Sequence, residues 1–207
     1  SIISRVNRNE KVKVDEMFSE VFQLAEKISG ETDGAFDITV APMVNAWGFG
    51  FKTGNPPTRQ TIDSLRAIVG FHTVSLQDGY VIKKNPKTML DCSAIAKGYG
   101  TDVVARFLKK KGVQNFMVEI GGEIVVNGNS DKLQPWRIGI NKPTDDSLNT
   151  SQAIQDVVSV SNIAMATSGN YRNFYYKNGK KYAHTIDPKT GYPVQHNILS
   201  ATVFADD

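Results

Sequence analysis

The 207-residue chain contains a single cysteine, Cys92. No internal disulfide can form, and no thiolate zinc site can be assembled. No apolar run approaches the roughly 20 residues that a membrane-spanning helix needs. A His-Glu-x-x-His pair is missing, which argues against a zinc hydrolase, and no Gly-rich stretch ends in the Lys-Ser or Lys-Thr of a phosphate loop. Gly48-Phe49-Gly50, with Gly54 further on, misses the dinucleotide-binding spacing by one residue and does not sit between a strand and a helix. There is no internal repeat and no low-complexity tract. Nor is there a strong charge of either sign: 24 Lys and Arg oppose 21 Asp and Glu, for a net charge of +3. The one basic run, Lys109-Lys110-Lys111, suits a helix C-terminus better than a nucleic-acid surface. Nucleic acid is not expected as a partner.

What remains is ordinary globular composition, 40% hydrophobic and 22% charged, enough for a substantial core. Met17, Phe18, Val21, Leu24, Ala25 and Ile28 recur at helical spacing and predict a helix over 15–29 that Gly30 ends. Thr32–Val40 reads as a sharp turn carrying Asp33 and Asp37, and Pro42–Phe51 as an irregular aromatic loop. Thr58 predicts a capped helix over 59–69. Asp78-Gly79 joins Val74–Leu76 to Tyr80–Ile82 as a hairpin. A third helix runs from the Asp91 stretch to about Lys111, with Ile95, Tyr99, Val103 and Phe107 at four-residue steps, and Gly112 stops it. Strands follow at 116–120, 123–126, 136–140 and 153–160, the last reached through a polar loop (143–151). Asn178-Gly179 predicts a hairpin between 174–177 and 180–186, and Ser200–Phe204 a last strand. Hairpins mixed with three helices point to an α+β fold rather than a doubly wound sheet.

Several stretches carry chemistry-bearing residues. In Asp91-Cys92-Ser93-Ala94-Ile95-Ala96-Lys97-Gly98 an acid stands at a helix entrance and a lysine follows among small residues. Free N–H groups at such an entrance favour anions, but on this stretch alone an ordinary cap and a solvated lysine are the better reading. Thr167-Ser168-Gly169 reads as a polar turn able to offer a hydroxyl and free amides. His184 is placed at a strand end, two residues before Ile186-Asp187-Pro188. Asp187-Pro188-Lys189-Thr190-Gly191 is a turn built from a side-chain-to-backbone bond, a fixed φ and a positive φ.

Six ordered motifs bring these together: Thr32–Thr39, Trp47-Gly48-Phe49-Gly50, Asp91–Tyr99, Gly121-Gly122, Thr167–Arg172 and His184–Gly191. In that order the sequence closely resembles the ApbE family, the FAD:protein FMN transferases. The resemblance implies an α+β fold of mixed helices and largely antiparallel sheets, as one compact domain or two closely packed subdomains. It implies magnesium-dependent transfer of FMN from FAD to a threonine of a target flavoprotein, with release of AMP. An FAD pyrophosphatase yielding FMN and AMP, and a non-catalytic flavin-binding or delivery protein, stand as alternatives. Carried over motif by motif, Ala35, Phe36, Asp37, Asp91, Lys97 and Ile186 are expected at FAD, with Ser168 and Gly169 at a phosphate or flavin edge. The Ala94 carbonyl is expected to bind magnesium, and His184 to accept the proton of the attacking hydroxyl. Residues 1–207 correspond to the family's core, and an N-terminal segment and an acidic C-terminal metal-binding segment are expected to lie outside them. These residues alone are therefore expected to bind Mg²⁺ and FAD weakly. The resemblance also implies a lipoprotein on the periplasmic side of the inner membrane.

Overall fold

The computed structural model describes residues 1–50, 56–143, 153–170, 174–177 and 179–206. Gly54, Tyr171, Arg172, Asn178 and most of the 143–151 loop lie outside the described residues. The chain divides into two compact units, Ser1–Ala94 with Tyr175–Gln195 and Ile95–Phe174 with His196–Asp207. The architecture is α+β, with mixed helices and antiparallel sheets.

In the first unit, α1 (Ile2–Asn7) is followed by α2 (Glu16–Glu31), α3 (Ala41–Ala46) and α4 (Arg59–Arg66). Asp15 caps α2 by accepting from the Phe18 amide, and Thr58 caps α4 by accepting from the Thr61 amide at 3.2 Å. The buried face of α2 is Val21, Phe22, Ala25 and Ser29, while Met17 and Leu24 are exposed. The predicted stripe is thus turned by part of a helical step, because the small hydroxyl of Ser29 is accepted inside and Met17 is not needed there. Gly30 does not end α2. The chain leaves the helix through Asp33 (φ 50°) and Gly34 (φ 74°), whose amides donate to Gly30 O and Ser29 O.

Of the segment expected to be irregular, Pro42–Ala46 belongs to α3 instead, while 47–50 are turn and bend as expected. Pro42 sits in the first turn of α3, where its missing N–H costs no helical bond. Helix α4 is shorter than expected and ends at Arg66, yet Ile62 and Val69 are still buried. The hairpin forms as expected, β1 (Val74–Gln77) pairing antiparallel with β2 (Tyr80–Lys83) around Asp78 and Gly79, both at positive φ. Met43, Trp47, Ile62, Val69 and Ile186 form one buried cluster of this unit, and Phe22, Ala25, Ile38 and Leu90 are buried in it as well.

The second unit takes nearly all of α5 (Ser93–Lys110). Its buried positions are Thr101 and Ala105, with Leu108 packed beside them, whereas Phe107 is exposed. Of the expected stripe, Ile95, Tyr99 and Val103 are half-buried and only Phe107 is left outside. The fully buried positions are small residues, and they let the helix lie close to the sheet. That sheet orders β10-β7-β4-β3 from β3 (Phe116–Ile120), β4 (Glu123–Asn127), β7 (Ile163–Gly169) and β10 (Ser200–Ala205), all antiparallel. Phe116, Val125 and Ala164 meet Ala105 on one face. On the other face Ile124, Val126 and Met165 pack on Ile138 of β5 (Trp136–Asn141), which pairs with β6 (Ile154–Val160). The last hairpin, β8 (Phe174–Lys177) with β9 (Lys180–Ala183), belongs from Tyr175 on to the first unit and stops three residues short of its predicted end. Among the described residues no helix is long and apolar enough to cross a membrane.

Candidate functional site

The turn after α2 is organised by a buried carboxylate. Asp37 Oδ1 accepts from the Thr39 amide and the Thr39 hydroxyl, both at 2.7 Å, and Oδ2 accepts from the Phe71 amide at 2.7 Å. Thr39 Oγ1 in turn accepts from the Gly70 amide at 2.7 Å. Asp37 thus fastens the turn to the segment that enters β1, and its two oxygens are committed within the unit. Ala35 is exposed and Phe36 half-buried, its amide donating to Thr32 Oγ1. Asp33 pairs with Lys189 at 2.6 Å, so the Thr32–Thr39 and His184–Gly191 motifs are tied together. The hydrogen bond and charge of Lys189 hold the Asp33 carboxyl below its usual range.

The same unit presents His184 immediately after β9. It lies edge-on to Phe49, ring centroids 6.5 Å apart. Phe49 stacks on Tyr175 (5.3 Å), Tyr175 on Tyr182 (5.4 Å), and Tyr182 on Trp47 (5.5 Å). Burial, and then the neighbouring Tyr182, push the Tyr175 hydroxyl above its ordinary value. Ile186 is buried in the core and bridges Pro193, so its side chain packs against Trp47 and Met43. Beyond it the Asp187 turn closes as expected. Asp187 accepts from the Lys189 amide and the Thr190 hydroxyl, and Gly191 stands at φ 76°. The Trp47 indole donates to Gly191 O at 2.7 Å. This aromatic ladder was not foreseen. Its traces in the sequence are the aromatic Pro42–Phe51 segment, which supplies Trp47 and Phe49, and the placing of Tyr175 and Tyr182 around a turn signal near His184.

The Asp91 amide donates to Ile38 O at 2.7 Å, and the preceding residue is gripped by Asn7, which both donates to Leu90 O and accepts from its amide. Asp91 is thereby placed beside the Asp37 segment. Its Oδ1 accepts from the Ser93 amide at 2.8 Å and from the Ser93 hydroxyl, so it serves the free donors at the start of α5. Cys92 is half-buried. Burial and the adjacent Asp91 push its thiol up to about 11, which makes it a packed residue and not a nucleophile. Ala94 is exposed in the first turn of α5. Among the described residues no three His, Cys, Asp or Glu side chains converge. A hard divalent cation is held by several oxygens, so these side chains do not by themselves fit magnesium.

In the second unit Lys97 Nζ donates to Glu123 Oε1 at 2.8 Å and to Gly121 O at 3.1 Å. Glu123 Oε2 lies 2.7 Å from the same nitrogen. Thr101, 1% exposed, donates to Lys97 O at 2.9 Å and approaches Glu123 O at 3.5 Å. Gly121, at φ 59°, runs against the lysine stem, and an added Cβ would stand 3.0 Å from Lys97 Cδ. Sequence reasoning missed Glu123, because a partner 26 residues away leaves no local pattern. Ser168 and Gly169 are not in a turn. They end β7, paired with Ala201 and Ser200 of β10, and the register is marked by the 2.9 Å contact of the Thr167 and Thr202 hydroxyls. The ladder takes up backbone groups that the turn reading left free, and Ser168 itself is exposed.

The model of the ApbE family matches residues 1–207. A FAD:protein FMN transferase of Haemophilus influenzae is 40% identical over 215 residues, covering 99% of this chain and 61% of that protein. One of Vibrio cholerae is 39% identical over 208 residues, covering 98% and 61%. The solved structure of the flavin transferase ApbE from Vibrio cholerae superimposes with a TM-score of 0.85 at 38% identity, over 99% of this chain and 65% of that one. The chain thus spans 61% of the length of each of these two curated relatives.

Proposed function

The chain belongs to the ApbE family, and from that premise we propose that it transfers FMN from FAD to a threonine hydroxyl of a target flavoprotein. The threonine Oγ–P bond forms at the FMN phosphorus, the phosphoanhydride bond to AMP breaks, and the hydroxyl proton passes to a base. The observation that carries this reading is the family match across all 207 residues, joined by relatives at 40% and 39% identity that bear the transferase name.

Such a reaction needs charge neutralisation and in-line placement more than covalent help. In this reading Lys97 offers its ammonium to the diphosphate and offsets charge developing on AMP. Ala35 and Phe36 line FAD at the turn that Asp37 braces. Asp91 contacts it from the entrance of α5, and Ile186 backs the His184 segment from the core. Ser168 and Gly169 contribute from the end of β7. His184, held against Phe49, takes the hydroxyl proton. Magnesium is the proposed metal, supplying charge neutralisation at the phosphates, with the Ala94 carbonyl as one ligand. Since no acidic cluster joins Ala94 among the described residues, the roles assigned here belong to the chain's own groups. Residence as a lipoprotein on the periplasmic side of the inner membrane belongs to the same proposal, and protease accessibility in spheroplasts tests it.

The deciding experiment incubates the full-length protein with FAD, Mg²⁺ and a target peptide ending in threonine. Flavin bound covalently to the peptide, with AMP released, is expected. Free FMN and AMP without modified peptide would make it a pyrophosphatase, and intact FAD would make it a binding protein.

A further inference from the structure

Glu123 has no part in the reading above, yet its carboxylate depends on Lys97. The side chain is 17% exposed against 48% for Lys97. Its Oε2 is buried and makes no hydrogen bond among the described residues, although it stands 2.7 Å from the ammonium nitrogen. The short separation is therefore an ion-pair contact, and the charge of Lys97 is what compensates that oxygen among the described residues. Burying a carboxylate oxygen without such compensation is costly.

The lysine is equally constrained. An ammonium has three donors; one goes to Glu123 Oε1 and one to Gly121 O. Its stem lies on Gly121, where an added Cβ would stand 3.0 Å from Lys97 Cδ and press the stem aside. Its backbone is stitched to the start of β4 through Thr101, which reaches both Lys97 O and Glu123 O. An ordinary surface lysine pays rotamer entropy whenever it meets a ligand. Here that cost is met before any ligand arrives, and among the described residues its hydrogen bonds go to Glu123 Oε1 and Gly121 O alone.

We infer that Glu123, with the Gly121-Gly122 turn, is a positioning residue that fixes the Lys97 ammonium so that it addresses a phosphate oxygen of the substrate diphosphate. Glu123 acts only through Lys97, and the inference rests on the transferase reading for the identity of the anion. A neutral Gln keeps the side-chain length but gives up the ion pair. The lysine then samples other rotamers and the diphosphate loses a preset partner, while a flavin without phosphates loses nothing.

The test uses the full-length protein as wild type, E123Q, K97M and the double variant. Dissociation constants are measured for FAD and for riboflavin, and acetylation of Lys97 by an N-hydroxysuccinimide ester is followed by peptide mass spectrometry without ligand. E123Q is expected to acetylate faster at Lys97 and to weaken FAD roughly tenfold, within the coupling seen between contacting residues. Riboflavin binding stays the same, and adding E123Q to K97M costs nothing further. Unchanged acetylation in E123Q, an equal loss for riboflavin, or a full E123Q penalty in the K97M background would each overturn the inference. A wild type that binds no FAD would sink the transferase reading, and acetylation alone then decides whether Glu123 holds Lys97. Should E123Q not fold, G121A crowds the same lysine stem while keeping the carboxylate in place and is expected to give the same FAD-selective loss.

Discussion

Replacing Asp37 by Asn separates two accounts of that residue. Its carboxylate accepts three hydrogen bonds of 2.7 Å, two on Oδ1 from Thr39 and one on Oδ2 from Phe71. Asparagine keeps one carbonyl oxygen for Thr39 but turns an NH₂ toward the Phe71 amide, so donor faces donor. A hydrogen bond to a charged group is worth about 1.5–3 kcal/mol, and a buried donor left unpaired costs about 1–3 kcal/mol. Taken together these put the loss near 3 kcal/mol, at the severe end for one substitution. For a chain of this size that lowers Tm by about 6–12 °C. The damage should also be local. The Phe71 amide loses its acceptor, and the Gly70 amide, held by Thr39 Oγ1 at 2.7 Å, loses a braced one.

Thermal unfolding followed by near-UV circular dichroism reads the first effect, and native-state hydrogen exchange at residues 70 and 71 reads the second. A Tm within about 2 °C of the parent, with protection at both amides intact, would refute the structural account. If FAD affinity then fell on its own, Asp37 would be a ligand contact that acts through its carboxylate.

Three further outcomes follow from other parts of the chain. H184N is expected to cut transfer by about 10²–10⁴-fold, the range of a lost general base, while FAD still binds; normal turnover would remove His184 from the mechanism. Cys92, pushed up to about 11 by burial and Asp91, should resist iodoacetamide at pH 8, and rapid stoichiometric alkylation of the folded protein would contradict its packing. The sign for stability follows from the same displacement: the unfolded thiol ionises near its ordinary value of about 8.5 and the folded one only near 11, so stability falls as pH rises through that window and is indifferent to Cys92 below it. G191A places a Cβ 2.8 Å from Ile62 Cγ2 at φ 76°, with Met43 behind it; a loss of about 2–4 kcal/mol in urea unfolding is expected from overpacking and backbone strain together, and a midpoint like the parent's would show that the turn has room to shift.

The sequence was most legible where one local rule decides the geometry. Asp78-Gly79 needs two consecutive positive φ values, and that alone sets the β1–β2 register. Asp187–Gly191 is likewise a closed set of local bonds. Legibility failed where packing chose small residues over large ones. Helix α5 turns Thr101 and Ala105 inward and leaves Phe107 outside, and α2 buries Ser29 while Met17 is exposed. Hydrophobic periodicity assumes that bulk marks the interior, and a helix laid close against a sheet inverts that assumption. Helix α3 was hidden because the aromatic, glycine-rich residues that follow it show no period, and its six residues, with Pro42 in the first turn, are too few to show one. Strand β7 was hidden because Ala164, Ala166, Thr167, Ser168 and Gly169 carry no alternating bulk, and only the pairing with β10 makes the segment a strand. At the candidate site, residues within one motif were found and partners between motifs were not: Lys97 was singled out but Glu123 was not, and His184 but not the Phe49–Tyr175–Tyr182 stack beside it.

The same small residues that defeat the helix pattern are what allow Lys97 to be held. A bulky residue at 101 would lift α5 away from the start of β4 and break the Thr101 contacts to Lys97 O and Glu123 O. At Gly100 a Cβ would meet Ile120 Cδ1 at 3.6 Å, an ordinary contact, so that position tolerates a methyl group but little more. At Gly121 the requirement is stricter, because φ is positive and the space is taken by the lysine stem. Ile120 and Gly121 both belong to the β3–β4 hairpin that carries Glu123. The hairpin therefore sets the height of the helix and the direction of its lysine in one step. Packing and site are not separable here: the apparent poverty of the inward face of α5 is the condition for a fixed ammonium, and a sequence with a richer apolar stripe would gain burial and lose that cation's aim.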